Sequence, residues 1–353
     1  MRKTTRYTSK PGQSLSVLGA PLSLGQLHRG VELAPEFLRQ YGLIERLEKL
    51  GWHVDDQGDF EVAIGAISEG SLGGVSGTLP SALSDGLGED RLKRISLYCW
   101  KLSRMISLLA TEGQRVLTLG GDHSVAVASI SGLLEAHPDL GVVWVDAHGD
   151  VNTPETSPTG NFHGMPVAAL LGERSNTITH CFDWLSEKLS DTRIAFVGVR
   201  SIDPGEAEIL RRRNIMVYTS QEVQELGMAR VAEEVLAHLK RNGAGPLHVS
   251  FDIDSLDPEY APATGTAEEN GLSLIDAKFL CQYLSRNSEL VGLDMVEINP
   301  SIAGRSEDVE RTMESAIQVV QSAFALVQPN KSADPPHTSD HSSSPQKTRM
   351  KLG

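Results

Sequence analysis

The 353-residue chain carries 32 Lys+Arg against 46 Asp+Glu, a formal charge of −14. So acidic a protein repels phosphate backbones, and no run approaches the ~20 consecutive apolar residues of a membrane span, so neither nucleic acid nor a bilayer is expected as a partner. Apolar residues make up 40% but aromatics only 5%, so the core must rest on Leu, Val, Ile and Ala.

In chain order, residues 1–13 read as a flexible basic start. Met1 to Lys10 contains no acid and no apolar stretch of the secretory kind, so a cytoplasmic compartment is expected, a short organellar address being the alternative. SLSVLGAP (14–21) reads as a strand entering a Gly/Pro turn, and Glu36 to Lys49 spaces its apolar residues as a helix does. Residues 63–90, rich in Gly and Ser, read as a long loop. RVLTLGG (115–121) and LGVVWVDAHGD (140–150) are apolar runs that end abruptly in polar clusters. RIAFVGVRS (193–201) and LVGLDMVEIN (290–299) repeat the pattern, and the amphipathic helix ARVAEEVLAHLK (229–240) leads into the strand PLHVSFDID (246–254). Residues 328–353, polar and rich in Pro and Ser, read as a disordered tail. Cys99, Cys181 and Cys281 are far apart and odd in number, which predicts buried free thiols rather than a disulfide framework.

Strands separated by helical stretches of this length form βαβ units, so 14–327 is expected to be one α/β domain around a mainly parallel sheet. Four of its strands end in acids: Asp122, the Asp146–Asp150 group, the Asp252–Asp254 group and Glu297. In parallel sheets the site lies just past the C-terminal ends of the strands. Alternation along a strand would put Asp146, His148 and Asp150 on one face, and Asp252 with Asp254 on one face. Carboxylates so spaced at an apolar strand end are costly unless positive charge sits among them. Two divalent cations would balance the four aspartates 146, 150, 252 and 254, with His123 and His148 completing the set. Oxygen-rich ligands with two imidazoles suit a hard or borderline ion such as Mn²⁺ better than structural zinc. Taken singly, Asp-Ala-His-Gly-Asp reads equally as a solvated strand terminus and Gly-Gly-Asp as turn chemistry; three such clusters at three strand ends favour a binuclear metal site.

These motifs resemble the ureohydrolase (arginase/agmatinase) family, in GGDHS (120–124), DAHGD (146–150) and SFDIDSLDPEYAPATGT (250–266). GAPLSLGQLHRGVE (19–32), NTPETSPTGNFHGMPV (152–167) and DPGE (203–206) resemble its arginase branch. The resemblance covers about 14–327. It implies a three-layer α/β/α domain, two Mn²⁺ ions, and hydrolysis of L-arginine to L-ornithine and urea by a hydroxide held between the ions. It further implies that His123, Asp146, Asp150 and Asp252 bind one ion and Asp146, His148, Asp252 and Asp254 the other. Asp150 and His163 then handle protons, and Glu297 holds the guanidinium. Asn152, Thr159 and Asn161 are implied at the α-carboxylate, Asp203 and Glu206 at the α-ammonium, and Thr266 in the guanidinium pocket. Asp203 and Glu206 read equally well as capping chemistry at a helix N-terminus.

The chain departs from the family pattern in three places. Gly149 stands for the usual Thr or Ala, and Ala267-Glu268-Glu269-Asn270-Gly271 for Pro-x-x-Gly-Gly. A homotrimer is implied, yet Ile275, Gln282 and Gln328 replace the charged residues that cross-link many such trimers. Agmatine or another guanidine is the rival substrate, and a non-catalytic relative the rival of another class.

Overall fold

The computed structural model describes residues 13–61 and 88–325. Eight strands form one sheet: β1 Ser14–Ala20, β2 His53–Asp59, β3 Arg115–Gly120, β4 Gly141–Val145, β5 Ile194–Val199, β6 Met216–Thr219, β7 Leu247–Asp252 and β8 Leu290–Val296. Their order is β2-β1-β3-β8-β7-β4-β5-β6, and every pairing is parallel. A parallel sheet must be covered on both faces, which is why β4, β5, β7 and β8 are buried throughout.

Two apolar layers do the covering. Leu15, Val17, Val143 and Val145 pack with the helices Ala34–Gln40, Leu43–Lys49, Met228–Arg241, Leu274–Asn287 and Ser306–Ala323 on one face. Leu18, Ala20, Val142 and Trp144 pack with Glu89–Thr111, Ala126–Ala136 and Pro166–Leu170 on the other. The expected three-layer α/β/α domain is thus present, and it places the acid-ended strands β3, β8, β7 and β4 side by side at the centre of the sheet.

Several local readings need correction. The helix expected over 36–49 is two, Ala34–Gln40 and Leu43–Lys49, because Gly42 sits at φ 83 between them. Glu89 and Asp90, placed by their sequence in the Gly/Ser-rich loop, start the helix Glu89–Thr111; residues 63–87 of that loop lie outside the described residues, as do residues 1–12 and 326–353 with the predicted tail and Gln328. β2 has no apolar pattern to announce it. It is an exposed acidic edge, paired to β1 and tied to Arg39, whose guanidinium meets Asp56 at 2.9 Å and Asp59 at 2.5 Å. The three cysteines are buried and free.

Candidate metal centre and substrate cleft

Three strands lead into the site through the same short device. Past β3, the Asp122 carboxylate accepts the Ser124 N–H at 3.0 Å. Past β4, Asp146 accepts the His148 N–H at 2.8 Å, and at the end of β7, Asp252 accepts the Asp254 N–H at 2.8 Å. In each case an aspartate turns the chain over itself two residues on. The residues that the alternation argument grouped do meet, but by a different geometry. β4 ends at Val145 and β7 at Asp252, so His148, Asp150 and Asp254 arrive by turns, not by strand periodicity. Asp150 holds φ 49 and Glu297 φ 62, left-handed values that are uncommon for any residue but glycine.

These turns bring the acids against two imidazoles. His123 Nδ1 lies 3.1 Å from a carboxylate oxygen of each of Asp146, Asp150 and Asp252. His148 Nδ1 lies 3.4 Å from Asp146 and 3.2 Å from Asp254. One ligand atom from each of His123, Asp146 and Asp150 falls within 4.8 Å of the others, as does one from each of Asp146, His148 and Asp254. Asp146 belongs to both groups, as a bridging ligand would; Asp252 reaches the first through His123.

The charge balance of this cluster is unfavourable as it stands. Burial, then Asp146, pushes the Asp150 carboxyl up to about 7, and burial, then Asp254 and Asp146, drives Asp252 well above the usual carboxylate range. His123 is buried, which opposes its charge, yet Asp146, Asp150 and Asp252 outweigh this and raise it well above an ordinary histidine. Among the described residues His123 Nδ1 has no hydrogen-bond partner, although three carboxylate oxygens crowd it. A single proton cannot satisfy three acceptors, whereas a cation can be shared among them. The donors present thus fit divalent metal ions.

Above the acids opens a cleft lined by His148, Asp150, Asn152, Thr159, His163, Asp203, Glu206, Asp252, Asp254 and Thr266. Asn152 donates to Asp203 at 2.9 Å, and Thr156 to Asn152 Oδ1 at 2.8 Å, so the 152–159 loop is tied to the helix Pro204–Arg212. Asp203 and Glu206 do form the capping box of that helix, and Glu206 also accepts the Val151 N–H at 3.3 Å. Burial, then Asp150, pushes Glu206 up to about 7. Gly149 leaves room for it, since a Cβ there would lie 3.1 Å from Glu206 Oε1. Thr266 donates to Asp254 at 2.7 Å.

Two predicted residues are placed differently from the rest. Asn161 is half-buried and off the cleft lining, where its backbone turns the loop: its N–H meets Thr159 Oγ1 at 3.2 Å and its carbonyl the Gly164 N–H at 3.3 Å. Glu297 is buried beneath the cleft. Its Oε1 accepts the His123 N–H at 2.8 Å and meets His163 Nδ1 at 3.0 Å, and its Oε2 accepts from Gln26 Nε2 at 2.6 Å. Burial opposes the His163 charge, but Glu297 overcomes it and raises the imidazolium to about 9.

Gln26 and Arg200 were not singled out in the sequence. Gln26 sits inside the run 19–32, where the amide gives no periodic signal. Arg200 donates to the carbonyls of Asp254 at 2.7 Å, Ser255 at 3.2 Å, Glu268 at 2.7 Å and Glu269 at 3.1 Å. It staples the departing segment 267–270 to the metal-side turn. Its partners are all backbone carbonyls, which no residue pattern reveals.

Nearly the whole of the described chain is similar to known proteins. The family model of the arginase family matches residues 13–325. The chain is 37% identical to arginase-1 of Bos taurus over 327 residues, covering 90% of this chain and 95% of that protein. It is 36% identical to arginase-1 of Homo sapiens over 320 residues, again 90% and 95%. Among solved structures, native arginase from Bacillus caldovelox at pH 5.6 superposes with a TM-score of 0.77 and 36% identity, covering 89% of this chain and 99% of that one.

Proposed function

The chain belongs to the arginase family of hydrolases, and from that premise we propose that it hydrolyses L-arginine to L-ornithine and urea with two Mn²⁺ ions. The observation that carries the reading is a single cleft with metal-type carboxylates at its floor and the Asn152–Asp203 pair at its rim. That pair offers an amide and a carboxylate to the α-carboxylate and α-ammonium of an amino acid.

His123, Asp146, Asp150 and Asp252 are proposed to hold one ion, and Asp146, His148, Asp252 and Asp254 the other. When bound, the ions supply a water acidic enough to attack near neutral pH. A water activated there would bond through its oxygen to the guanidinium carbon as the bond from this carbon to the side-chain nitrogen breaks. Asp150, on the cleft lining, passes the proton to the departing nitrogen. His163 exchanges protons between cleft and solvent, and Glu297 orients it until substrate binds. Glu297 takes the guanidinium by giving up its bond to His163. Asn152 and Thr159, with Asn161 shaping their loop, recognise the α-carboxylate; Asp203, supported by Glu206, recognises the α-ammonium; Thr266 fixes Asp254 beside the guanidinium.

A homotrimer is proposed as the assembly; Ile275, 80% exposed, and Phe279, 40% exposed, give the helix Leu274–Asn287 an apolar face for it. A cytoplasmic site of action is proposed; no helix among the described residues is long and apolar enough to cross a membrane.

The test is urea release by Mn²⁺-loaded protein from L-arginine and, in parallel, from agmatine. Release from arginine alone supports the reading, because donors built for an α-carboxylate are left unpaired by agmatine. Release from agmatine alone assigns the chain to another ureohydrolase activity, and release from neither, with two metals bound, removes the arginine reading and points to a different guanidine.

A further inference from the structure

Behind the metal-side residues, the sheet interior contains a second polar cluster that the proposed reaction does not use. His248, Ser250 and Asp252 alternate on one face of β7, and β8 sets Gly292 opposite His248 and Asp294 opposite Ser250. All four polar side chains are buried. Asp294 Oδ2 accepts from Ser129 Oγ at 2.5 Å and from Ser250 Oγ at 3.3 Å, and meets His248 Nε2 at 2.9 Å. Ser250 Oγ in turn lies 3.0 Å from His123 Nε2. Room for the His248 ring comes from Gly292, where a Cβ would stand 2.7 Å from His248 Nδ1.

Stability alone gives no reason for this cluster. Buried polar pairs are often matched or bettered by apolar residues of similar volume, and here Asp294 Oδ1 and His248 Nδ1 are left without partners. Its consequence is found at His123. Ser250 has one hydroxyl proton, and Asp294, an acceptor held ionised beside His248, takes it. Ser250 Oγ can then only accept from His123, which places the imidazole proton on Nε2. Once a cation takes the place of the Nδ1 proton among Asp146, Asp150 and Asp252, Nδ1 offers it a lone pair. Trp144, stacked on the ring at 4.1 Å, fixes its plane.

We propose that Asp294 and Ser250, braced by His248 and Ser129, are positioning residues that hold His123 in the metal-ligating tautomer and orientation. The inference rests on the two-ion reading above. It concerns one ion only, since His148 has no contact with this chain of bonds. Hydrogen-bond partners behind a ligating histidine typically contribute ~10–100-fold in metal affinity.

The test is equilibrium dialysis of Mn²⁺ against apo-protein, comparing wild type with Ser250→Ala, alongside the thermal midpoint of each apo-protein. One of two ions is expected to bind ~10–100-fold more weakly in Ser250→Ala, with the other ion and the apo midpoint little changed. Two ions bound with wild-type affinities would overturn the inference, as would equal weakening of both together with a lowered apo midpoint, the mark of a purely structural role. Asp294→Leu gives an independent check, since an apolar side chain of similar size cannot accept the Ser250 hydroxyl and the same ion should be loosened. Failure of wild type to bind Mn²⁺ would instead remove the two-ion reading itself.

Discussion

Gly121→Ala should damage both the fold and the site, because the chain at Gly121 passes against another stretch of backbone with no space between. A Cβ there would stand 1.9 Å from the Leu22 carbonyl oxygen and 2.8 Å from its carbon. A C···O contact relaxes at ~3.3 Å, so about 1.4 Å of movement is required. Neither neighbour is a flexible side chain. The crossing is pinned by Asp122 N–H to Leu22 O at 2.7 Å, Gly121 N–H to Ala20 O at 2.9 Å and Glu297 N–H to Gly121 O at 2.9 Å. Losing two such buried bonds costs roughly 2–3 kcal/mol and the overpacking another ~1–3 kcal/mol, about 3–6 kcal/mol together. At ~2 °C per kcal/mol for a domain of this size, the midpoint should fall by about 6–12 °C. Movement on this scale next to His123 and Glu297 should also lower kcat by ~100-fold or more. Gly304→Ala is the control, with nothing within 4 Å of its Cβ, and should stay within ~0.5 kcal/mol of wild type. Differential scanning calorimetry and steady-state urea release measure both effects. A Gly121→Ala protein with wild-type midpoint and turnover would refute the reasoning.

Three further outcomes follow from particular contacts. Arg200→Lys loses the planar fork that spans the Asp254 and Glu268 carbonyls, so stability should fall by ~3 kcal/mol and the KM for arginine rise; unchanged kinetics and midpoint would mean that the staple is idle. Asp203→Ala should raise KM by ~10–100-fold with little change in kcat, because it removes binding rather than chemistry; steady-state kinetics with an unchanged KM would exclude Asp203 from the α-ammonium. The His163 imidazolium, raised to about 9 by Glu297 against the cost of burial, stabilises the fold fully below its ordinary ~6.5 and loses that contribution as pH rises through about 9. Between about pH 7 and about pH 10 the wild-type midpoint should therefore fall further than that of His163→Gln, and equal falls would show that the pair is uncharged.

The parts of the fold that were legible in the sequence are those where one physical demand dominates. The central strands must be apolar on both faces, so β3, β4, β7 and β8 stand out as runs, and the acids that end them mark the site. β2 and β6 were not legible, since edge strands need little burial and HVDDQGD is held by pairing and by Arg39. The metal-side residues were visible as types, but how they meet was not: three aspartate-capped turns do what strand alternation was expected to do. Gln26 and Arg200 act through an amide and through backbone carbonyls, and neither leaves a pattern along the chain. His248, Ser250 and Asp252 were legible in principle, as polar residues at every second position of an otherwise apolar strand.

The most direct test of the two-ion centre is the number of Mn²⁺ ions retained per chain by wild type and by Asp252→Ala after loading, counted by elemental analysis alongside urea release from L-arginine. Asp252 lies against His123 at 3.1 Å and is proposed to bridge both ions. Wild type should hold two ions and release urea, and Asp252→Ala should lose bound metal and turnover together. Full turnover by Asp252→Ala, or wild type that releases urea with no metal bound, would contradict the account.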